Sequence, residues 1–234
     1  MLVAAVSKVE QAAAEGKLTA QTPVNVKDWL SKACVSEYHE RILQLINNED
    51  WKTLDELFWT TIPFGTGGRR GPMGELGPAS INDRTIAESA HGLASYLRES
   101  GVTAGGSAVV TCDTRNNSIH FAKLTATTFA AHGLKVYLFD GHRATPALSF
   151  AVRKLGCDIG VMISASHNPP ADNGFKAYWS NGAQIIAPHD KGVVAHVTQA
   201  DVIPSVDYDE AIASGAIEIV GEALDAEFIN EVVA

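Results

Sequence analysis

Residues 164–176, Ser-Ala-Ser-His-Asn-Pro-Pro-Ala-Asp-Asn-Gly-Phe-Lys, hold the side chains best suited to chemistry. Two hydroxyls, Ser164 and Ser166, stand beside His167 and Asn168, with Lys176 at the far end. A serine hydroxyl becomes a useful nucleophile only when a neighbour takes its proton or positive charge lies beside the bond it forms. The apolar run 159–163 before the loop reads as a strand buried on both faces. In an open α/β sheet, ligands gather beyond the carboxyl end of such a strand. Ser, Asn, Pro and Gly are also ordinary turn residues, so a surface turn with a capping serine is the plainer reading of the loop.

A glycine-rich stretch, Phe64-Gly65-Thr66-Gly67-Gly68-Arg69-Arg70-Gly71, combines backbone N–H groups that can approach an anion with arginines that can grip one. It is not a dinucleotide fingerprint, because Arg70 occupies the last glycine position, and not a P-loop, because no Gly-Lys-Ser/Thr follows. With Cys112-Asp113-Thr114-Arg115 between them, the two stretches resemble, in order, three signatures of the α-D-phosphohexomutases. These are Phe-Gly-Thr-x-Gly-x-Arg-Gly, Asp-Thr-Arg, and the phosphoserine loop Thr-Ala-Ser-His-Asn-Pro, in which Ser164 keeps the hydroxyl of the usual threonine. Tyr178-Trp179, Gly182-Ala183-Gln184-Ile185-Ile186 and Pro188-His189-Asp190 resemble the phosphoglucomutase/phosphopentomutase branch.

The resemblance implies that Ser166 carries a phosphate, gives it to a sugar monophosphate, and takes the other phosphate back from the bisphosphorylated sugar. It implies a small phosphosugar substrate (glucose, mannose or pentose), magnesium, and a hexose 1,6-bisphosphate as activator and intermediate. It gives catalytic roles to Ser166, His167, Lys176 and Arg70, and phosphate contacts to Thr66, Gly67, Arg70 and Asn168. One magnesium ligand is implied here, a Ser166 oxygen or its phosphate. The family's Asp-Gly-Asp-Gly-Asp loop, which supplies the others, does not occur in these residues. Arg69 replaces a usually apolar position and is expected to face solvent. Asp113 and Arg115 are expected to pair with each other or to brace the Ser166 loop.

Two rival readings differ in class. One is a catalytically incompetent domain that binds phosphosugars or partner proteins. The other is a serine hydrolase using Ser166 and His167, which is disfavoured because neighbours on one loop rarely place an imidazole on the adjacent hydroxyl and no Gly-x-Ser-x-Gly elbow is present.

The elements that must position these residues follow from the rest of the chain. At 234 residues and 46% hydrophobic, it is long enough for one or two cores. The net charge of −9 disfavours nucleic acid but leaves room for a local cationic cleft. Cys34, Cys112 and Cys157 form no CxxC pair, and no apolar run reaches membrane-spanning length, so a cytoplasmic protein without membrane or nucleic-acid partners is expected. Residues 1–60 show helical spacing and read as a helical amino-terminal extension. Residues 61–205 alternate strand and helix. They predict an α/β domain with a layered sheet and helices on both faces, of the phosphohexomutase domain I type by the resemblance. Thr145 before Pro146 reads as a helix cap, and 175–179 with 184–186 as a hairpin through Asn181-Gly182. Residues 206–234 are expected to be a linker and the start of a truncated second domain. The remaining family domains would then be partners of this one.

Overall fold

A computed structural model describes residues 2–65, 67–102 and 105–233. The chain divides into two compact units, one of residues 1–63 with 71–82 and one of 64–70 with 83–234. In the first unit, α1 (Leu2–Ala14), α2 (Thr22–Ser31), α3 (His39–Asn47) and α4 (Trp51–Phe58) pack their apolar stripes together. Val9, Val26, Ile42, Leu45, Ile46, Leu54 and Phe58 are fully or almost fully buried there. Asp50 caps α4 by accepting the Thr53 N–H, as an N-terminal carboxylate should.

The second unit is built on a mixed sheet. Its strands, among the described residues, are β1 (Gly68–Pro72), β2 (Ser107–Cys112), β3 (Lys135–His142), β4 (Ile159–Ile163), β5 (Asp172–Trp179) and β6 (Ile217–Val220), in the order β1-β5-β4-β2-β3-β6. β4, β2, β3 and β6 run parallel, whereas β5 is antiparallel to β4. The helices α5 (Asp83–Glu99), α6 (Ser118–Ala131), α8 (His189–Thr198) and α9 (Tyr208–Ala213) form one layer. A second layer holds α7 (Thr145–Lys154) and α10 (Glu222–Val233), which pack with Val109, Phe139 and Met162 of the sheet. Because both faces are covered, β2 and β4 are apolar almost throughout.

Several local expectations change. Thr145 is the first residue of α7 rather than its cap; Ala144 occupies the cap position and contributes no side-chain bond. The expected hairpin forms in short form: Tyr178 and Gln184 make an antiparallel bridge, flanked by the Trp179 N–H donating to the Ala183 carbonyl at 2.9 Å and the Ile185 N–H donating to the Ala177 carbonyl at 3.0 Å, while β5 itself starts earlier, at Asp172. Residues 206–234 do not stand apart in this chain. They supply α9, β6 and α10, and Ile217 pairs with Val136 to cover what would otherwise be the open edge of β3. Cys112 and Cys157 are buried, and burial pushes both thiols up to about 11.

One buried pair makes the unit sensitive to acid. His132 Nε2 and His91 Nδ1 lie 3.0 Å apart, and Arg98 donates to the His132 carbonyl. Burial first, then His91 and Arg98, pushes His132 down to about 4. The unfolded imidazole takes its proton near 6.5, so between that pH and about 4 the unfolded state holds more protons than the folded one. Stability should therefore fall by about 1.4 kcal/mol for each pH unit across this window. Urea unfolding at stepped pH should show this slope in the wild type and a flatter one in His132→Gln. Equal slopes would remove His132 as the cause.

Candidate active site

β4 is buried along its length, and its carboxyl end delivers the serine loop. The Ser164 N–H donates to the Gly174 carbonyl at 2.9 Å, tying the exit of β4 to β5. The Ser166 N–H donates to Ser164 Oγ at 2.9 Å, so the hydroxyl kept at position 164 shapes the turn. Ser166 itself adopts φ 60°, a left-handed conformation that costs a non-glycine residue about 1–2 kcal/mol. Its side chain is presented to solvent, as is that of His167. Asn168 closes the turn, its N–H donating to the Ala165 carbonyl at 3.1 Å, while its side-chain amide donates to Asp172 Oδ2 at 2.8 Å. Asn168 is thus committed to the loop's own shape.

Such strain persists only where the surroundings impose it. Here Arg115 imposes it. Its guanidinium donates to the carbonyls of Ser166 (2.7 Å), Pro169 (2.7 Å), Asn168 (2.8 Å) and Asp172 (3.0 Å), and its Nε lies 3.3 Å from Asp113 Oδ2. Only the planar fork of arginine spans four carbonyls from one side chain. Both sequence expectations for this pair are met, since Arg115 pairs with Asp113 and braces the loop.

The arginine strand reaches the site through glycines. A Cβ on Gly174 would lie 2.7 Å from the Arg69 carbonyl, 2.9 Å from Arg70 Cβ and 2.9 Å from the Ser164 carbonyl. A Cβ on Gly68 would run into the Phe175 carbonyl. Bare backbone at both positions lets residues 68–70 lie against β5. That brings the exposed Arg70 close enough to Lys176 for their charges to interact. Gly67 turns at φ 76°, and its carbonyl accepts from the Ala177 N–H at 2.9 Å and from Gln184 Nε2 at 3.0 Å. Thr66 lies outside the described residues.

Lys176 is half-buried, and its pKa is lowered, first by burial and then by the charge of Arg70; Arg115 adds to this and Asp113 opposes it. Three cations therefore act on this spot against one carboxylate, in a chain whose net charge is −9. An anion beside Lys176 would relieve that imbalance.

Arg69 departs from expectation. It is 5% exposed, and its Nη1 donates to Glu88 Oε2 and to the Thr85 carbonyl, each at 3.1 Å. Glu88 is also held by Arg84 at 2.9 Å. Neighbours on a strand point to opposite faces, so Arg69 turns to α5 while Arg70 turns out. The two arginines should accordingly fail differently. Arg69→Ala should lower stability by about 2–3 kcal/mol, as loss of a buried ionic partner does. Arg70→Ala should leave the melting temperature nearly unchanged and weaken phosphate binding by about tenfold or more. Thermal melts and phosphate titrations of both variants would check this; matching profiles would show the strand to be purely structural.

Sequence reasoning missed Gly68 and Gln184 as positioning residues. The glycine-rich composition was visible for the first. Nothing adjacent in the sequence marks the second, whose partner lies 117 positions away.

Together these features define an α/β domain that presents a strained, exposed serine at the end of β4 and, on the neighbouring strands β1 and β5, a cationic pair, Arg70 and Lys176. The chain belongs to the phosphoglucomutase/phosphomannomutase family, in its phosphopentomutase-like branch: residues 61–203 match the family's alpha/beta/alpha domain I. The "probable phosphoribomutase" of Schizosaccharomyces pombe is 43% identical over 171 residues, covering 73% of this chain and 29% of that protein. A phosphoglucomutase of Staphylococcus epidermidis is 43% identical over 158 residues, covering 68% of this chain and 27% of that one. The open form of parafusin, a phosphoglucomutase from Paramecium, shares the fold with a TM-score of 0.62 at 18% identity, over 75% of this chain and 35% of its own. The chain thus spans less than a third of the length of these curated relatives.

No helix among the described residues is long and apolar enough to cross a membrane. Nor do three His, Cys, Asp or Glu side chains converge among them. Asp113 is engaged by Arg115 and Asp172 by Asn168.

Proposed function

We propose that this chain is the phosphoserine domain of a sugar phosphomutase, with Ser166 as the covalent carrier. The observation that carries the reading is Ser166 itself, an exposed hydroxyl on a left-handed turn that Arg115 holds at four carbonyls. In the transfer, a bond forms between Ser166 Oγ and phosphorus while the bond from phosphorus to the sugar oxygen breaks. The serine proton ends on the departing sugar oxygen. In the return direction a sugar hydroxyl attacks the phosphoserine, and its proton returns to Oγ.

Arg70 and Lys176 hold the transferring group by charge, which is most of what an enzyme supplies to phosphoryl transfer. The lowered pKa of Lys176 also suits it to give and take the proton. His167, exposed on the same loop, orients the phosphate from the solvent side. Were magnesium bound, an oxygen on Ser166 would be this chain's ligand to it, and the ion would neutralise charge on the transferring group. The cytoplasm is the compartment this chemistry fits.

The test is incubation of the purified protein with glucose 1,6-bisphosphate and magnesium, followed by intact mass and phosphosite mapping. One phosphate on Ser166 is expected. These 234 residues alone should not interconvert glucose 1-phosphate and glucose 6-phosphate, since they lack a complete set of magnesium carboxylates. Phosphate on another residue, or none, would overturn the assignment.

A further inference from the structure

The first, helical unit holds a groove of about 970 Å³, a size typical of ligand sites, lined by residues of that unit alone. Trp51, Asp55 and Trp59 follow one another at four-residue steps along α4 and its end. They form a stripe about 12 Å long, at 1.5 Å of rise per residue. Trp59 is 52% exposed, an unusual state for so large an apolar ring. Trp51 packs partly on the unit's core, and its indole N–H is covered without an acceptor among the described residues. Lys17, Lys52, Asp55 and Glu56 also line the groove, two charges of each sign. Asp55 Oδ1 accepts from the Thr19 N–H at 2.7 Å and from the Thr22 hydroxyl at 2.5 Å, which fixes the carboxylate's direction.

We propose that this groove binds a neutral, linear oligosaccharide. The balanced charge gives no net pull on phosphate or nucleic acid, unlike the cationic spot at Lys176. The two indoles offer flat apolar surfaces for the C–H faces of sugar rings, and their separation suits a short chain of rings rather than one. The carboxylates take hydrogen bonds from sugar hydroxyls, and the ammonium groups donate to them. A proline-rich peptide would use the same indoles but brings few N–H donors. It would desolvate Asp55 and Glu56 without adding hydrogen bonds to them, which is costly.

The test titrates the full chain with maltotetraose and with cellotetraose, following indole NMR signals and tryptophan fluorescence. Saturable binding of either should move the Trp51 and Trp59 indole signals and leave that of Trp179 in place. Trp59→Ala should keep its melting temperature and weaken binding by about tenfold, the order of one lost aromatic contact. Glu56→Gln should weaken binding as well. Ser166→Ala should leave the affinity unchanged, which separates this groove from the serine site. No saturable shift with either saccharide, binding indifferent to Trp59→Ala, or preference for decaproline would overturn the proposal.

Discussion

Ser166→Ala is expected to leave the protein unable to accept any phosphate from glucose 1,6-bisphosphate. The effect should be complete rather than graded, because the substitution removes the atom to which phosphorus would bond, not a group that assists the bond. An alanine side chain has no Oγ, and the neighbouring Ser164 cannot replace it. Ser164 is 4% exposed, and its hydroxyl already accepts the N–H of residue 166. The exchange should cost little stability. The left-handed backbone at φ 60° disfavours alanine about as much as serine, and among the described residues the printed contacts of Ser166 are made by its backbone, not its hydroxyl. Mass spectrometry should therefore find an unmodified chain with a near wild-type melting temperature. A single phosphate still added to Ser166→Ala would move the carrier elsewhere.

Arg115→Ala should be the next most damaging change, although Arg115 need not touch substrate. Its guanidinium joins four carbonyls of one loop and the Asp113 carboxylate. Hydrogen bonds to a charged donor contribute about 1.5–3 kcal/mol each. They share one side chain and one loop, so their sum is not additive, and a total near 3–4 kcal/mol is expected. The strained turn at Ser166 would then have little to hold it. Phosphorylation of Ser166 should slow by about 10²–10³-fold, because misplacing a reacting atom by an ångström is worth that much. Arg115→Lys should recover little, since an ammonium cannot span the four carbonyls. Unlike the removal of a charge that binds substrate, this loss should not be relieved by raising the bisphosphate concentration. Rescue at high bisphosphate would assign Arg115 to binding instead.

The serine loop and its strand were legible because both are local. Five apolar residues and an abrupt change to Ser, His, Asn and Pro state a buried strand and its exit without reference to the rest of the chain. The alternation of elements from 83 to 200 was legible for the same reason, as 3.6- and 2-residue periods repeat within each segment. Asn173-Gly174 shows where local reading fails. The pair is a strong turn signal, yet both residues lie inside β5. Asn173 Oδ1 accepts the Gly174 N–H, its amide donates to the Asn116 carbonyl and to Ser118 Oγ, and Gly174 is bare because residues 69 and 70 press against it. None of these partners is nearby in sequence except the pair itself.

Arg69 and Arg70 carry the same contrast. Their shared type announces an anion site, and nothing in the stretch 64–71 tells which of them reaches it. The answer came from the facing of one strand, with α5 on one side offering Glu88 to Arg69 and open space on the other left to Arg70. Residues 206–234, expected from their own pattern to be a linker and the start of a second domain, instead supply an edge strand, and an edge strand is defined by the neighbour it completes. Sequence alone determined which residues are able to do chemistry and where most of the strands and helices between 83 and 200 lie, since turn chemistry and hydrophobic period act over a few residues. Tertiary structure decided which of those residues meet. Packing brings together groups as far apart as Arg70 and Lys176 or Gly67 and Gln184, and only the assembled layers determine which arginine is buried as a brace and which remains available to a phosphate.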